Sequence, residues 1–313
     1  MYHVLRDLEK SKSHVIITGA GDRAFSAGGD ITEMMKGPYE RSKDLGRLTM
    51  RNAELVASYK IPFIAIMDGI TMGGASPFSI VGKYRVATER TIYAMPETAL
   101  GFFNDAGASF FLPRVRMNIG IYMGLTGTRL SGFDLKKVGL ATHYVESRRL
   151  EDLEKALIAC KTDDDIGKAI SKHSSVPAST ETVLDAAIPE IDKCFDGDTV
   201  DEIYENLHLD GSDWAMETIR TLNKMSPTSL KVSLRSMKEG KNLSLRECLK
   251  MEFLLTVHHF LDSDLKEGVR AVLVDKDNKP KWNPAKLADV TPEHVDKFFQ
   301  PAPDGDELTF EER

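Results

Sequence analysis

In the first 148 residues, short apolar runs bounded by Gly or Pro alternate with stretches of helical periodicity. "HVIITG" (14–19), "PFIAIMDG" (62–69), "YRVATE" (84–89), "TIYAMP" (91–96) and "ATHYVE" (141–146) read as short strands. Residues 40–60 and 72–82 read as helices. This alternation indicates an α/β fold with a mainly parallel sheet. After residue 148 the strands stop. "LEDLEKALIACK", "TVLDAAIPEIDKCF", "DWAMETIRTLNKM", "SPTSLKVSLRSMKEG" and "SLRECLKMEFLLTVHHFL" all carry apolar residues at helical spacing. Ser226 and Pro227 suit the N-cap and N1 positions of one helix, and Gly240 suits its stop. The expected organisation is an α/β core over 1–148, a helical region over 149–299, and a loose acidic tail over 300–313.

Bulk properties exclude several classes. The 313 residues suffice for one large or two medium domains, and 42% apolar content is too high for disorder. The net charge of −7, with acids spread along the chain, argues against nucleic acid or an anionic membrane as partner. It leaves room for a local basic pocket that takes a phosphate-bearing ligand. Cys160, Cys194 and Cys248 form no metal spacing and read as reduced, buried thiols. His143 and the pair His258-His259 show no metal spacing either, so no metal is expected. No apolar run approaches the ~20 residues of a membrane span. The first residues, "MYHVLRDLEKSKSHV", contain no secretory or convincing transit signal.

Two Gly-rich loops follow strands. "GAGDRAFSAGGD" (19–30) matches a relaxed dinucleotide fingerprint at Gly19, Gly21 and Ala24, but that fingerprint needs a helix to open at the second Gly. Here the loop continues to Gly28-Gly29 before Asp30 can cap a helix at Ile31. By itself it reads as a plain strand-to-helix turn. "DGITMGGASPFS" (68–79) ends a strand at Asp68-Gly69 and opens a helix at Gly73-Gly74, with Pro77 in the first turn. Free N–H groups at such a start attract negative charge. Backbone N–H groups from two separate loops can together form an oxyanion hole for a carbonyl under attack.

The stretch "MPETALGFFNDAG" (95–107) puts two acids, Glu97 and Asp105, among apolar neighbours. Taken singly, each reads equally well as a helix cap. Paired beside an oxyanion hole, they suit acid–base or nucleophilic work on an activated carbonyl.

The segments "AFSAGGDI", "PFIAIMDGITMGG", "YRVATE…YAMPETALGFFNDAG" and "FFLPR" resemble the crotonase (enoyl-CoA hydratase/isomerase) superfamily, and its hydrolase branch most. The resemblance continues through "SGFDLKKVGLATHYV", "LNKMSPTSLKVSLRSMKEG" and "EGVRAVLVDKDNKPKWNP", covering nearly the whole chain. It implies a spiral of ββα units followed by helices, with an acyl-CoA thioester as substrate and no separate cofactor. The thioester oxygen would sit between the N–H groups of Gly29 and Gly74. Glu97 would be the catalytic glutamate, and Asp105 the acid that marks hydrolases. The implied reaction is hydrolysis of a short branched 3-hydroxyacyl-CoA in valine breakdown, in the mitochondrion. The alternatives are hydratase or isomerase activity, or acyl-CoA binding without turnover. The family also allows a homo-oligomer.

Three features depart from the family pattern. The usual strand pair and "RP…NAL" segment are lacking, so the resemblance implies an N-terminally shortened core. The usual "MGGGVGLS" reads "MGGASPFS", which brings Ala75, Pro77 and Phe78 to the second loop. This change also removes the acid that hydratases carry there, which favours hydrolysis over hydration. Finally, the substrate-reaching glutamate of the preceding helix falls at Thr49, so that role does not carry over.

Overall fold

The computed structural model describes residues 1–312. The chain forms two compact units interleaved along the sequence. Unit 1 comprises Met1–Gly28, Asn52–Ala94 and Arg129–Ala186; unit 2 comprises Gly29–Arg51, Met95–Thr128 and the rest from Ala187.

The strands described all lie in unit 1: β1 (Val15–Thr18), β2 (Ala24–Ser26), β3 (Phe63–Met67), β4 (Ile70–Met72), β5 (Tyr84–Ala87), β6 (Ile92–Ala94), β7 (Leu130–Ser131) and β8 (His143–Tyr144). One sheet has the order β1-β3-β5-β8 and is parallel throughout. The other has the order β2-β4-β6-β7, with only the β6–β7 pair antiparallel. Three times along the chain, a strand of the first sheet is followed by a short strand of the second and then by a helical segment. This is the expected ββα order. The five runs read from the sequence are β1, β3, β5, β6 and β8. The missed strands span two or three residues each, too few to show a period.

Every residue of β3 is buried, as expected for a parallel strand covered on both faces. Ile64 and Ile66 pack with Leu153, Leu157, Ile166 and Ile170, from the helices Leu150–Ala159 and Asp163–His173. Phe63 packs instead with Leu5, Val15, Leu55 and Val56. The boundary expected at residue 148 therefore does not divide the units, because the next two helices bury their apolar stripes on the first sheet.

Unit 2 is helical. Its helices include Val200–Asp210, Asp213–Leu222, Pro227–Gly240 and Leu245–Leu261. Ser226 caps the third as expected, accepting a 3.0 Å bond from the Ser229 N–H. Gly240 has a different role from the one read in the sequence. It is the last helical residue, and a Cβ there would lie 2.1 Å from the Ser109 carbonyl oxygen, so close packing rather than a left-handed stop requires Gly.

The acidic C-terminal segment is held rather than loose. Lys43, almost fully buried on the helix Tyr39–Ala57, pairs with Asp304 at 2.5 Å and Asp306 at 3.2 Å. Arg47 pairs with Asp306 and donates to the Glu307 carbonyl, while Ala302 and Leu308 are buried. Composition misleads here because the acids answer cations that lie some 260 residues away in sequence. Among the described residues, no helix is long and apolar enough to cross a membrane, and no three His, Cys, Asp or Glu side chains group as metal ligands.

Candidate active site

Glu97 opens a single tight turn, Glu97–Leu100, that follows β6. Gly101 ends the turn in the left-handed region at φ 70°. The Phe102 N–H donates to the Glu97 carbonyl at 3.0 Å, and the Thr98 hydroxyl donates to the Leu125 carbonyl at 3.1 Å. The Ser226 N–H donates to the Thr98 carbonyl at 3.1 Å, tying the turn to the cap of the helix Pro227–Gly240. The turn that carries Glu97 is thus held at Glu97 itself and, twice, at the next residue.

Its side chain is 5% exposed and caps nothing. One carboxylate oxygen accepts a 3.0 Å bond from the Asn104 amide, which also donates to the Met95 carbonyl at 3.4 Å. Burial raises the Glu97 carboxyl well above the ordinary carboxylate range, and the charge of Asp105 raises it further; the Asn104 bond opposes both. Asp105 is half-buried, and burial also raises it. The two acids therefore titrate as a pair, so one can hold a proton while the other gives one up.

The capping alternative for Asp105 does not hold. The short helix Ala108–Phe111 begins at Gly107, and no Asp105 side-chain bond caps it. Glu252, on the helix Leu245–Leu261, supplies the acceptors: the Gly107 N–H donates at 2.7 Å and the Ser109 N–H at 2.9 Å. Asp105 is thereby left for other work. Neither Asn104 nor Glu252 was singled out from the sequence. Asn104 at least adjoins Asp105, but Glu252 lies 145 residues beyond Gly107 and no local signal marks it.

In unit 1, the two Gly-rich loops meet. Gly28 sits at φ 94°, and a Cβ there would lie 3.3 Å from both the Gly74 nitrogen and the Met72 carbonyl oxygen. Only Gly tolerates that backbone at that distance. Gly74 lies in the first helical turn after β4, where the helix itself provides no acceptor for its N–H. Gly29 follows Gly28 in the chain, and Asp30 caps the helix Ile31–Lys36 as expected, accepting from the Glu33 N–H at 3.1 Å. The helix expected over 72–82 shrinks to this turn plus Ser76–Ser79. The Ala75 methyl is absorbed in an apolar cluster with Phe25 and Ala65, with Phe78 packed beside it. Ser76 bonds the Gly73 carbonyl and the Tyr93 hydroxyl. No carboxylate stands in this turn.

His259 is a core residue. Its Nδ1–H donates to the Leu255 carbonyl at 2.7 Å, the rings of Phe102, Phe103 and Phe298 surround it, and burial pushes it down to about 3. Cys194 and Cys248 are buried, and all three cysteines are unpaired.

Residues 1–299 match the enoyl-CoA hydratase/isomerase family, and the chain belongs to it. Within that family it is 45% identical over 294 residues to the mitochondrial 3-hydroxyisobutyryl-CoA hydrolase of Rattus norvegicus, a match covering 91% of this chain and 76% of the relative. Identity to the Homo sapiens protein of the same name is 42% over 295 residues, with the same coverage. Among solved structures, a carnitinyl-CoA dehydratase from Mycobacterium thermoresistibile superposes with a TM-score of 0.91 at 34% identity, over 99% of this chain and 90% of that one. An enoyl-CoA hydratase from Rhodobacter sphaeroides 2.4.1 gives 0.87 at 30%, over 98% and 90%.

Proposed function

We propose that this chain hydrolyses the thioester of 3-hydroxyisobutyryl-CoA to 3-hydroxyisobutyrate and CoA, in the valine breakdown of the mitochondrion, with no cofactor beyond the CoA of the substrate. The observation that carries the reading is the pair Glu97 and Asp105. Both are raised above the ordinary carboxylate range, and neither serves as a helix cap. The identity to hydrolases, higher than that to the dehydratase and hydratase structures, supports it.

In this reading the N–H groups of Gly29 and Gly74 accept the charge that builds on the thioester oxygen, each contributing ~3–4 kcal/mol as in other oxyanion holes. Glu97, ionised and held by Asn104, takes a proton from water as the water oxygen bonds to the carbonyl carbon. The C–S bond then breaks, and the CoA sulfur takes up a proton. Asp105 orients the substrate hydroxyl or the water and relays that proton. Direct attack by Glu97 needs the same ionised form; ¹⁸O in Glu97 after a single turnover in ¹⁸O-water marks direct attack followed by water addition at the Glu97 carboxyl carbon. Hydration of a double bond is disfavoured because residues 75–78 offer no second acid.

The test is release of free thiol from 3-hydroxyisobutyryl-CoA, compared with Glu97→Gln and Asp105→Asn. Equal background rates for wild type and Glu97→Gln would sink the proposal. Water addition to crotonyl-CoA would mark a hydratase instead, and acyl-CoA binding without turnover a non-catalytic relative.

A further inference from the structure

Glu252 reaches the turn that carries Asp105 from a distant helix, and it is fully buried. One carboxylate oxygen accepts the Gly107 N–H at 2.7 Å. The other accepts both the Ser109 N–H at 2.9 Å and the Ser109 hydroxyl at 2.6 Å. Three donors converging on one side chain leave little freedom in the segment 107–109. That segment needs restraint. Ala106 has φ 62° and Gly107 φ 93°, so two successive residues occupy the left-handed region, where a non-Gly residue is strained. The Asp105 carbonyl accepts the Ala108 N–H at 3.1 Å, so the carboxylate leaves the chain at the start of the same turn.

From this geometry we infer that Glu252 is a positioning residue, which fixes the strained 105–109 turn and thereby aims Asp105. The inference rests on the role of Asp105 in the reaction proposed above. The donors explain why the residue is a glutamate. A carboxylate offers acceptors on both oxygens, whereas a glutamine would turn an N–H₂ toward one of the donors. The charge of Asp105 raises Glu252, and Glu252 in turn raises the thiol of Cys248 on its own helix. Burial also raises the Glu252 carboxyl, while the three donors favour its ionised form. Glu252 touches the turn rather than the reacting atoms, so its loss should reduce turnover and leave ground-state binding in place.

The experiment measures thiol release from 3-hydroxyisobutyryl-CoA by wild type, Glu252→Gln, Ser109→Ala, Asp105→Asn and the Glu252→Gln/Asp105→Asn double variant, across pH, with thermal melts as folding controls. Glu252→Gln is expected to lower kcat about 10–100-fold, the range for a misplaced catalytic group, with KM within about threefold of wild type. The limb of its pH profile should move. Once Asp105→Asn is in place, Glu252→Gln should cost little more. Ser109→Ala keeps both N–H donors and should show a smaller kcat loss with KM unchanged, which decides the matter should Glu252→Gln fail to fold. A folded Glu252→Gln with wild-type kcat and pH profile overturns the inference. So do additive losses in the double variant, or an unaffected Ser109→Ala where Glu252→Gln does not fold. Absence of thiol release by wild type would instead sink the proposed function.

Discussion

Replacing Asn104 by Ala removes a side-chain donor on Glu97 and nothing the proposed reaction touches. The bond is 3.0 Å long and falls on a carboxylate that is 95% buried, so solvent cannot take over the donation. A hydrogen bond to a charged group is worth about 1.5–3 kcal/mol. At 1.36 kcal/mol per unit, its loss lifts the Glu97 carboxyl by a further ~1–2 pH units. The sign follows from the form the bond stabilises. The amide N–H favours the carboxylate, so without it the proton is held to higher pH. The acidic limb of kcat/KM against pH therefore moves up by ~1–2 units. Below the limb, the variant is ~10–100-fold slower than wild type; well above it, the two converge. Asn104 is fully buried and its own side-chain oxygen has no partner among the described residues, so truncation leaves a cavity but also removes a buried acceptor. A melting curve at the assay pH controls for folding. A uniform loss at every pH, with the limb unmoved, would refute the claim that Asn104 sets the charge of Glu97.

Other expected outcomes follow from the same contacts. Glu97→Gln should abolish thiol release and stabilise the fold selectively at high pH. A carboxyl raised in the folded state leaves stability intact below its unfolded value, near 4.5, and costs stability as pH rises toward the folded value. The melting-temperature gap between Glu97→Gln and wild type should thus widen from pH 4 to pH 8, and a constant gap would contradict it. Gly28→Ala puts a methyl 3.3 Å from the Gly74 nitrogen at φ 94°, for a cost of ~1–3 kcal/mol in a denaturant titration together with reduced kcat. Lys43→Met leaves Asp304 and Asp306 without their shared cation; the segment from Ala302 onward should become protease-sensitive in limited proteolysis, with only a small loss of global stability because the acids are partly solvated.

Much of the α/β core was legible because its signals are local. The apolar runs of β1, β3 and β5, the Ser226-Pro227 cap and the Asp30 cap each arise within a few residues. The strands β2, β4 and β7 escaped because two or three residues carry no period; their register comes from neighbours in the sheet. The packing of residues 150–173 on the first sheet and the anchoring of the C-terminal acids were also invisible. Each depends on a surface or a cation supplied from elsewhere in the chain.

At the site, the sequence determined which groups are available: two carboxylates eight positions apart, and two loops whose Gly content lets backbone N–H groups face outward. It could not decide whether Glu97 and Asp105 cap helices, because a cap and a catalytic acid look alike in one dimension. Tertiary structure decided it. Burial desolvates both acids and lifts them above the ordinary carboxylate range, Asn104 holds Glu97, and Glu252 takes over the capping that Asp105 would otherwise supply. Desolvation and the choice of hydrogen-bond donor depend on what packs around a group in space, and chain order alone does not specify that.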